Sequence, residues 1–444
     1  MSGGSRRLFF SAADVRREHK EWGEERWIVN KEYCGKKLLV SKGRRSSMHS
    51  HREKDEVLFL DSGSVVLELG DETLTLAPGD FVHVRPGTPH RFTALDDSVM
   101  TEFSTTHYDA DSHRTEPSGH LEPERFARQR TLIDRFERVG VLVVGDAMLD
   151  TFVSGSVDRI SPEAPVPVLR VASSADAAGG AGNVARGIAA VCARTTLVGI
   201  RGDDAAGEAL VELLARDGIE VCVDPVPGRP TTRKTRIATS GGHPFVRVDV
   251  EETRPLNPSV EDALLVHVRD RIVGHDVVIV SDYAKGAVSA SVLKECIGIG
   301  RDAGIPVVVA PKPQARDCLA AARGASVLVA NRSEAQGLLG GDERSGPELA
   351  RMLAAWTEAG AVVTMAESGM AVADGDDVFI LPALASDAVD VSGAGDTVVA
   401  VLGVALGTGA SLPDAADLAS RAAAVAVRAR GTAAVDPDAL RRML

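Results

Sequence analysis

Two sets of residues in this 444-residue chain have the types and spacings that chemistry needs. The first is rich in imidazole. Gly43 is followed by His49, His51, Glu56 and Gly63, then by Pro78-Gly79-Asp80 and Gly87-Thr88-Pro89-His90. Two histidines at i and i+2 on a strand share a face. With Glu56 from the next stretch and His90 from a later strand, they give three imidazoles and one carboxylate. That is a sound ligand set for a divalent transition metal with open positions. It suits Fe, Mn, Ni, Zn or Co alike, so the identity of the metal stays open.

The second set is rich in glycine and carboxylate. Asp390-Val391-Ser392-Gly393-Ala394-Gly395-Asp396-Thr397 precedes the apolar run VVAVLGVALG. Small residues at a helix start let backbone N–H groups converge on an anion, and the helix dipole favours negative charge there. An aspartate just after such a nest is placed to take a proton from a hydroxyl attacking a bound phosphoryl group. Gly179-Gly180-Ala181-Gly182-Asn183 leads into a second helix, where backbone can approach a polyol closely and Asn183 offers an amide. Asp146 and Asp150 follow the strand-like run VGVLVVG, and Asn331-Arg332-Ser333-Glu334 follows another. Strand C-termini are where open α/β sheets bind ligands. Each of these motifs taken singly also fits an ordinary turn or helix cap.

The elements that must position these groups differ between the two parts of the chain. Residues 1–115 hold ten of the 17 aromatics, five alanines and a charge of −2 (17 basic, 19 acidic). The remainder is rich in Ala, Gly and Val and carries −11 (33 basic, 44 acidic). KLLVSKG, DEVLFLDSG, SVVLELGD, ETLTLAPGD, FVHVRPG and VMTEFSTTH are short runs punctuated by turns, the pattern of an all-β sandwich or barrel. After residue 139, apolar β-branched runs alternate with helical segments, which predicts a mainly parallel sheet flanked by helices. PVPVLRVA, TTRKTRIATSGG and FVRVDVEE read as extra strands forming a small β lid. The expected organisation is therefore a β domain over 1–115, a linker and leading helix over 116–138, and an α/β domain over 139–444. The join carries Pro117, Gly119 and Pro123 among polar residues.

Composition excludes several classes. A net charge of −13 argues against non-specific binding to nucleic acid or anionic membrane. The apolar run Val398–Gly407 is too short to span a bilayer. The charged N-terminus does not read as a signal peptide, and none is expected. Cys34, Cys192, Cys222, Cys296 and Cys318 are odd in number and lack CxxC spacing, which reads as a reduced, cytoplasmic chain.

The imidazole set resembles the two-part motif of the cupin superfamily, over about 90 residues. Arg85 stands where a proline is usual and Ala94 where an asparagine is common; neither is a ligand. Trp22-Gly23 and Pro89-His90-Arg91 look like the mannose-6-phosphate isomerase-type cupins, which implies a sugar-phosphate ligand and makes Arg91 a candidate anion contact. Residues 139–440 resemble the ribokinase-like (phosphofructokinase B) sugar kinases, and more sharply the heptose 7-phosphate kinase branch. The strings that carry this are Arg159-Ile160-Ser161-Pro162-Glu163-Ala164-Pro165-Val166-Pro167-Val168, Gly179 to Ala185, Ser281-Asp282-Tyr283-Ala284-Lys285-Gly286 and Asp390 to Thr397.

That resemblance implies ATP- and Mg²⁺-dependent phosphorylation of the anomeric hydroxyl of D-glycero-β-D-manno-heptose 7-phosphate. Asp396 would be the base, with Gly393, Ala394 and Gly395 as anion hole. Asp146, Asp150, Arg159, Gly179, Gly180, Asn183, Asp282 and Lys285 would face the sugar. Asn331, Arg332, Ser333, Glu334 and Glu367 would face the nucleotide. Lys234, Arg236 and Arg247 are further candidates for the sugar's phosphate. Ala310, Pro313 and Met365-Ala366 depart from the branch, where Asp, Gly and Arg-Ser are commoner. The adenylyltransferase motif of bifunctional branch members does not occur in the sequence, so a separate adenylyltransferase is expected downstream. Both families commonly form dimers, so a homodimer is expected. The first domain is expected to be an isomerase or epimerase, or a sugar-phosphate sensor. A kinase for another sugar, with that domain as regulator, is the alternative.

Overall fold

The computed structural model describes residues 15–70, 72–116, 118–120, 123–191, 194–312, 320–385, 389–391, 393–428 and 434–444. Cys192, Cys318, Pro117, Pro313 and Ser392 lie outside the described residues. The chain divides into two units, Met1–Ala127 and Arg128–Leu444.

In the first unit the alternating runs form two sheets. One has six strands in the order Arg16–Lys20, Gly23–Asn30, Tyr33–Val40, Ser98–Thr105, Glu56–Ser62 and Phe81–Val84. The other has seven and includes Met48–His51 paired with His90–Ala94, so that His49 faces His90 across the ladder. Leu38, Leu58, Leu60 and Met100 from the first sheet meet Val65, Leu67 and Phe92 from the second in one core. Ser112–Glu116 pairs with Met48–His51, and Gly119–His120 with Arg44–Arg45, so this unit's strands continue past residue 115. Trp22-Gly23 has a structural use: Trp22 meets the Phe92 ring edge-on at 5.1 Å, and a Cβ on Gly23 would come 1.9 Å from the Leu39 carbonyl oxygen.

The second unit is a nine-stranded sheet between two helical layers. Its order is Glu220–Val226, Arg194–Gly202, Gly140–Gly145, Val277–Ser281, Val307–Ala310, Val327–Asn331, Gly360–Thr364, Met370–Asp374 and Asp377–Leu381. The first seven run parallel, Met370–Asp374 runs against them, and Asp377–Leu381 pairs antiparallel with Met370–Asp374. Alternation sends Val141, Val143 and Ile279 to one apolar layer with helices Ala181–Ala189 and Ala394–Gly407. It sends Leu142, Val144 and Val280 to the other, with Pro258–Ile272 and Ala290–Ala303. Burial on both faces is why these strands read as continuous apolar runs. Helix starts follow local capping: Asp204 accepts from Gly207 N at 2.9 Å, and Ser289 accepts from Val292 N at 3.1 Å.

The lid is a four-stranded sheet in the order Pro167–Gly180, Ala147–Ile160, Arg233–Thr239, Pro244–Val250. Its first two strands have 14 residues each, longer than the sequence runs indicate, and they reach back to Asp146 and Gly180. Among the described residues no helix is long and apolar enough to cross a membrane. Cys34, Cys222 and Cys296 are buried free thiols.

Leu142 is wholly buried in a central strand. Leu142→Ala should cost about 2–5 kcal/mol by loss of contacts and a residual cavity. The measurement is the urea midpoint by helical circular dichroism, which reports the second unit. Ile28→Ala, at a 61% exposed position, should leave that midpoint in place.

Candidate functional site

In the first unit, the side chains of Met48–His51 and His90–Ala94 that point inward bring His49, His51 and His90 together. One nitrogen of each lies within 4.8 Å of the others. All three imidazoles are oriented the same way. Nδ1 of His49, His51 and His90 donates to the carbonyls of Ser47 at 2.8 Å, Asp111 at 3.2 Å and Thr88 at 3.0 Å. That tautomer leaves three Nε2 lone pairs directed inward. Burial, followed by the neighbouring His90, lowers the His49 pKa to about 3; burial and the Lys54 charge lower His51 to about 4. Glu56 completes the set. Burial alone would raise its pKa, but the adjacent His90 ring and the Lys54 charge outweigh that and lower it. Its Oε2 is held by Lys54, while Oε1 lies 2.8 Å from His90 Nε2 and 3.8 Å from His51 Nε2. Two acceptors that close need a cation or proton between them. His51 Nε2 and Glu56 Oε1 are buried without a hydrogen-bond partner, so these residues fit a metal ion.

The cavity over these groups has a volume of about 150 Å³. Its walls include Glu25, Lys36, Lys54 and Glu102, none of which the sequence singled out. Lys36 and Glu102 are opposite each other on adjacent strands, a pairing only the register reveals. Arg91, the candidate anion contact, alternates away from His90 and is tied to Glu68 at 2.5 Å and Glu116 at 2.6 Å. Its charge is already matched.

In the second unit, a cavity of about 90 Å³ opens at the C-terminal ends of Val277–Ser281, Val307–Ala310 and Val327–Asn331. Asp282, Lys312, Asn331, Glu334, Gly395 and Asp396 line it. Gly393, at φ 79°, turns the chain into the helix Ala394–Gly407, with Asp396 in the first turn. Ala394 N–H donates to Val391 O at 3.2 Å. Asp396 is held from two sides. Asn183 Nδ2 donates to Oδ2 at 2.7 Å, and the Tyr283 hydroxyl donates to Oδ1 at 2.5 Å. Burial raises its pKa; these two bonds and the Lys312 charge pull the other way.

Asp146 lies just past the strand Gly140–Gly145 and accepts backbone N–H groups of Tyr283 at 2.8 Å, Lys285 at 3.0 Å and Ala287 at 2.9 Å. Asp282 sits beside it, and burial with the neighbouring Asp146 charge pushes its pKa up to about 7. Gly180, at φ 57°, leads into Ala181–Ala189, and a Cβ on Gly179 would come 2.5 Å from Asp150. Asp150 accepts from Arg236 at 2.6 Å. Lys285 pairs with Glu251 at 3.1 Å, and the lid's Lys234 and Arg247 pair with Asp249 at 3.5 and 2.9 Å, so these cations carry local partners. Asn331 and Glu334 form a capping box, each side chain bonding the other's backbone at 2.8 and 2.9 Å.

Some expected residues are not brought to this cavity. Arg159 is exposed near the end of Ala147–Ile160, on the order of 30 Å along the strand from Asp150. Arg332 donates to Arg344 O at 3.2 Å, Ser333 is exposed, and Glu367 is exposed in the turn Ala366–Ser368. Conversely, Tyr283 and Lys312 line the cavity, although the sequence does not mark either as a site residue. The signal for Tyr283 was its place inside the motif from Ser281 to Gly286.

Asp282 generates a pH prediction. Its folded pKa of about 7 lies above the ordinary 3.8, so the native state binds more protons between those values. Stability from this group is full below the unfolded pKa and falls as pH rises toward about 7. Asp282→Asn should flatten that part of the melting-temperature profile and raise the melting temperature at pH above 7, as measured by calorimetry across pH.

Residues 140–439 match the family model described as pfkB family carbohydrate kinase, and residues 37–105 match the cupin domain model. A protein of Bradyrhizobium sp. (strain ORS 278) named bifunctional protein HldE is 45% identical over 320 residues, covering 69% of this chain and 64% of that one. The protein of the same name from Caulobacter sp. (strain K31) is 43% identical over 312 residues, covering 69% and 62%. The chain thus spans just under two thirds of the length of these relatives. Phosphofructokinase-2 from Escherichia coli in complex with potassium shares the fold at a TM-score of 0.58 and 22% identity, over 69% of this chain and 97% of that one. Arabidopsis thaliana ribokinase complexed with ribose and ATP does so at 0.53 and 19%, over 69% and 98%. The expectation of a separate adenylyltransferase is not carried forward, because the relatives are named as bifunctional proteins and extend beyond the matched region.

Proposed function

Since the chain belongs to the pfkB family of carbohydrate kinases, we propose that its second unit transfers the γ-phosphoryl group of ATP to the anomeric hydroxyl of D-glycero-β-D-manno-heptose 7-phosphate. The observation that carries this is the position of Asp396. It follows a left-handed glycine at a helix start, is gripped by Asn183 and Tyr283, and shares one cavity with Asn331 and Glu334. The string from Arg159 to Val168 and the similarity to proteins named HldE support the heptose substrate.

Asp396 takes the proton of the attacking hydroxyl. The N-terminus of Ala394–Gly407, with Gly393, Ala394 and Gly395, receives the charge that develops on the transferred group. Asn183, with its amide already turned to Asp396, orients the sugar hydroxyl beside it. Asp150 and the close backbone at Gly179 and Gly180 shape the sugar side. Asn331 and Glu334 hold the nucleotide side, where Glu334 would face Mg²⁺ bound with the nucleotide; that ion would supply neutralisation of the phosphate charge.

For the first unit, we propose one divalent transition metal held by His49, His51, Glu56 and His90, in a cavity that takes a sugar phosphate for isomerisation, epimerisation or sensing. The three uniformly oriented imidazoles and the orphaned Glu56 Oε1 support the metal.

A panel of six- and seven-carbon sugar phosphates with ATP, followed by NMR of the product, tests the substrate. The heptose 7-phosphate should give the 1,7-bisphosphate; a clear preference for another acceptor refutes the heptose assignment. Asp396→Asn keeps the shape and removes the proton acceptor, so kcat should fall at least ~10²-fold with a smaller change in KM. Near wild-type turnover would sink the base assignment. Elemental analysis of wild type and the His49→Ala/His51→Ala variant should differ by about one metal equivalent. A wild type that binds none of the added divalent metals counts against the centre.

A further inference from the structure

The cavity between Asp396 and the Asn331–Glu334 turn is unbalanced in charge. Three carboxylates line it, those of Asp282, Glu334 and Asp396, and Lys312 is the one cation among the described lining residues. A polyphosphate entering such a cavity, even with its Mg²⁺, gains from positive charge that stands where it reacts. Lys312 follows Pro311 at the end of Val307–Ala310, and the proline ring restricts the backbone that carries it. Its ammonium pairs with Glu334 and lies 4.8 Å from the centroid of the Tyr283 ring. The Tyr283 hydroxyl in turn bonds Asp396 at 2.5 Å. Lys312 therefore bridges the turn on the nucleotide side and the group that takes the proton.

The pairing with Glu334 is also separable from the fold. Glu334 uses Oε2 to cap its own helix, accepting from Asn331 N at 2.9 Å, and Oε1 for Lys312. The ammonium can leave Oε1 without undoing the cap.

We propose that Lys312 is a catalytic residue, which turns from Glu334 to the phosphoryl group in transfer. The acceptor oxygen forms its bond to phosphorus as its proton passes to Asp396. The bond from phosphorus to the bridging oxygen breaks, and its electron pair leaves with ADP. Charge on the peripheral phosphoryl oxygens lies against the Lys312 ammonium, a compact charge with three rotatable donors. This assignment rests on the phosphoryl-transfer reading above, and holds for whichever sugar phosphate is the acceptor.

The test uses the full chain and the best acceptor from the panel, with Lys312→Met, Lys312→Ala, Lys312→Arg and Asp396→Asn compared side by side. Lys312→Met and Lys312→Ala should each lower kcat ~10²-fold or more, with KM for the sugar changed less than ~3-fold. Lys312→Arg should keep part of the activity. Added ethylamine should restore part of the turnover of Lys312→Ala and none of that of Asp396→Asn. A folded Lys312→Met enzyme with kcat within ~3-fold of wild type overturns the proposal. So does a loss that neither arginine nor the amine relieves, because that pattern belongs to a structural lysine. Inactive Lys312→Met beside fully active Asp396→Asn keeps Lys312 and removes Asp396 as base. A wild type that phosphorylates no acceptor refutes the kinase reading and this assignment with it.

Discussion

The arrangement of the second unit's site depends on one buried carboxylate. Asp146 is 2% exposed, one residue past a central strand, where a carboxylate without partners would be costly. The chain resolves this by folding residues 282–287 around it, so that three backbone N–H groups point at its two oxygens. The wrap requires Ala284 at φ 55° and Gly286 at φ 95°. A non-glycine residue in the left-handed region persists only where its surroundings over-determine it. What the wrap delivers is the Tyr283 phenol against Asp396 and the Asp282 carboxyl against Asp146. Gly145 contributes from below: a Cβ there would come 2.2 Å from Ser281 O, so only glycine lets the two strands approach. The geometry around Asp396 is thus set largely from a residue 250 positions earlier, through a loop that touches both.

The first unit solves the same problem with different groups. Burial disfavours the charged forms of His49 and His51, and each of the three imidazoles is pinned by an Nδ1–H bond to a backbone carbonyl. Lys54 is held charged despite burial by Glu102 and Glu56, which raise its pKa. The result is a polar interior in which cations and carboxylates alternate around three neutral lone pairs. Such an interior costs desolvation energy that a barrel with an apolar filling would not incur.

Much of this was legible in the sequence wherever the signal was local. Period-two alternation marked the first unit, continuous β-branched runs marked the parallel sheet, and Gly-rich strings marked the two helix starts that converge on Asp396. The His49, His51, Glu56 and His90 set was readable because strand periodicity dictates which side chains share a face. What escaped was set by register and by the wrap of loops. Tyr283 and Asp396 are 113 positions apart, and nothing in either segment names the other. Arg91, Lys234, Arg236 and Arg247 looked like free cations because their carboxylate partners come from neighbouring strands or lie one pleat away. Arg159 stands in the most distinctive string of the chain yet at the far end of a 14-residue strand, because a motif marks a family without marking a contact.

A common device links the carboxylates in both units: each has two oxygens with different tasks. Glu56 gives Oε2 to Lys54 and presents Oε1 to the histidines. Glu334 gives Oε2 to its helix cap and Oε1 to Lys312. Asp282 gives Oδ1 to Ala284 N at 2.7 Å, while Oδ2 is buried without a partner. One oxygen is fixed by the fold, and that fixes the direction of the other. Anchoring one oxygen narrows the rotation of the carboxylate and biases where its second oxygen points. The same division explains why amide replacements are informative here. An amide keeps an acceptor oxygen for the structural bond and removes the negative charge at the other position. The loss of charge can then be separated from the loss of fold, which truncation to alanine would remove together.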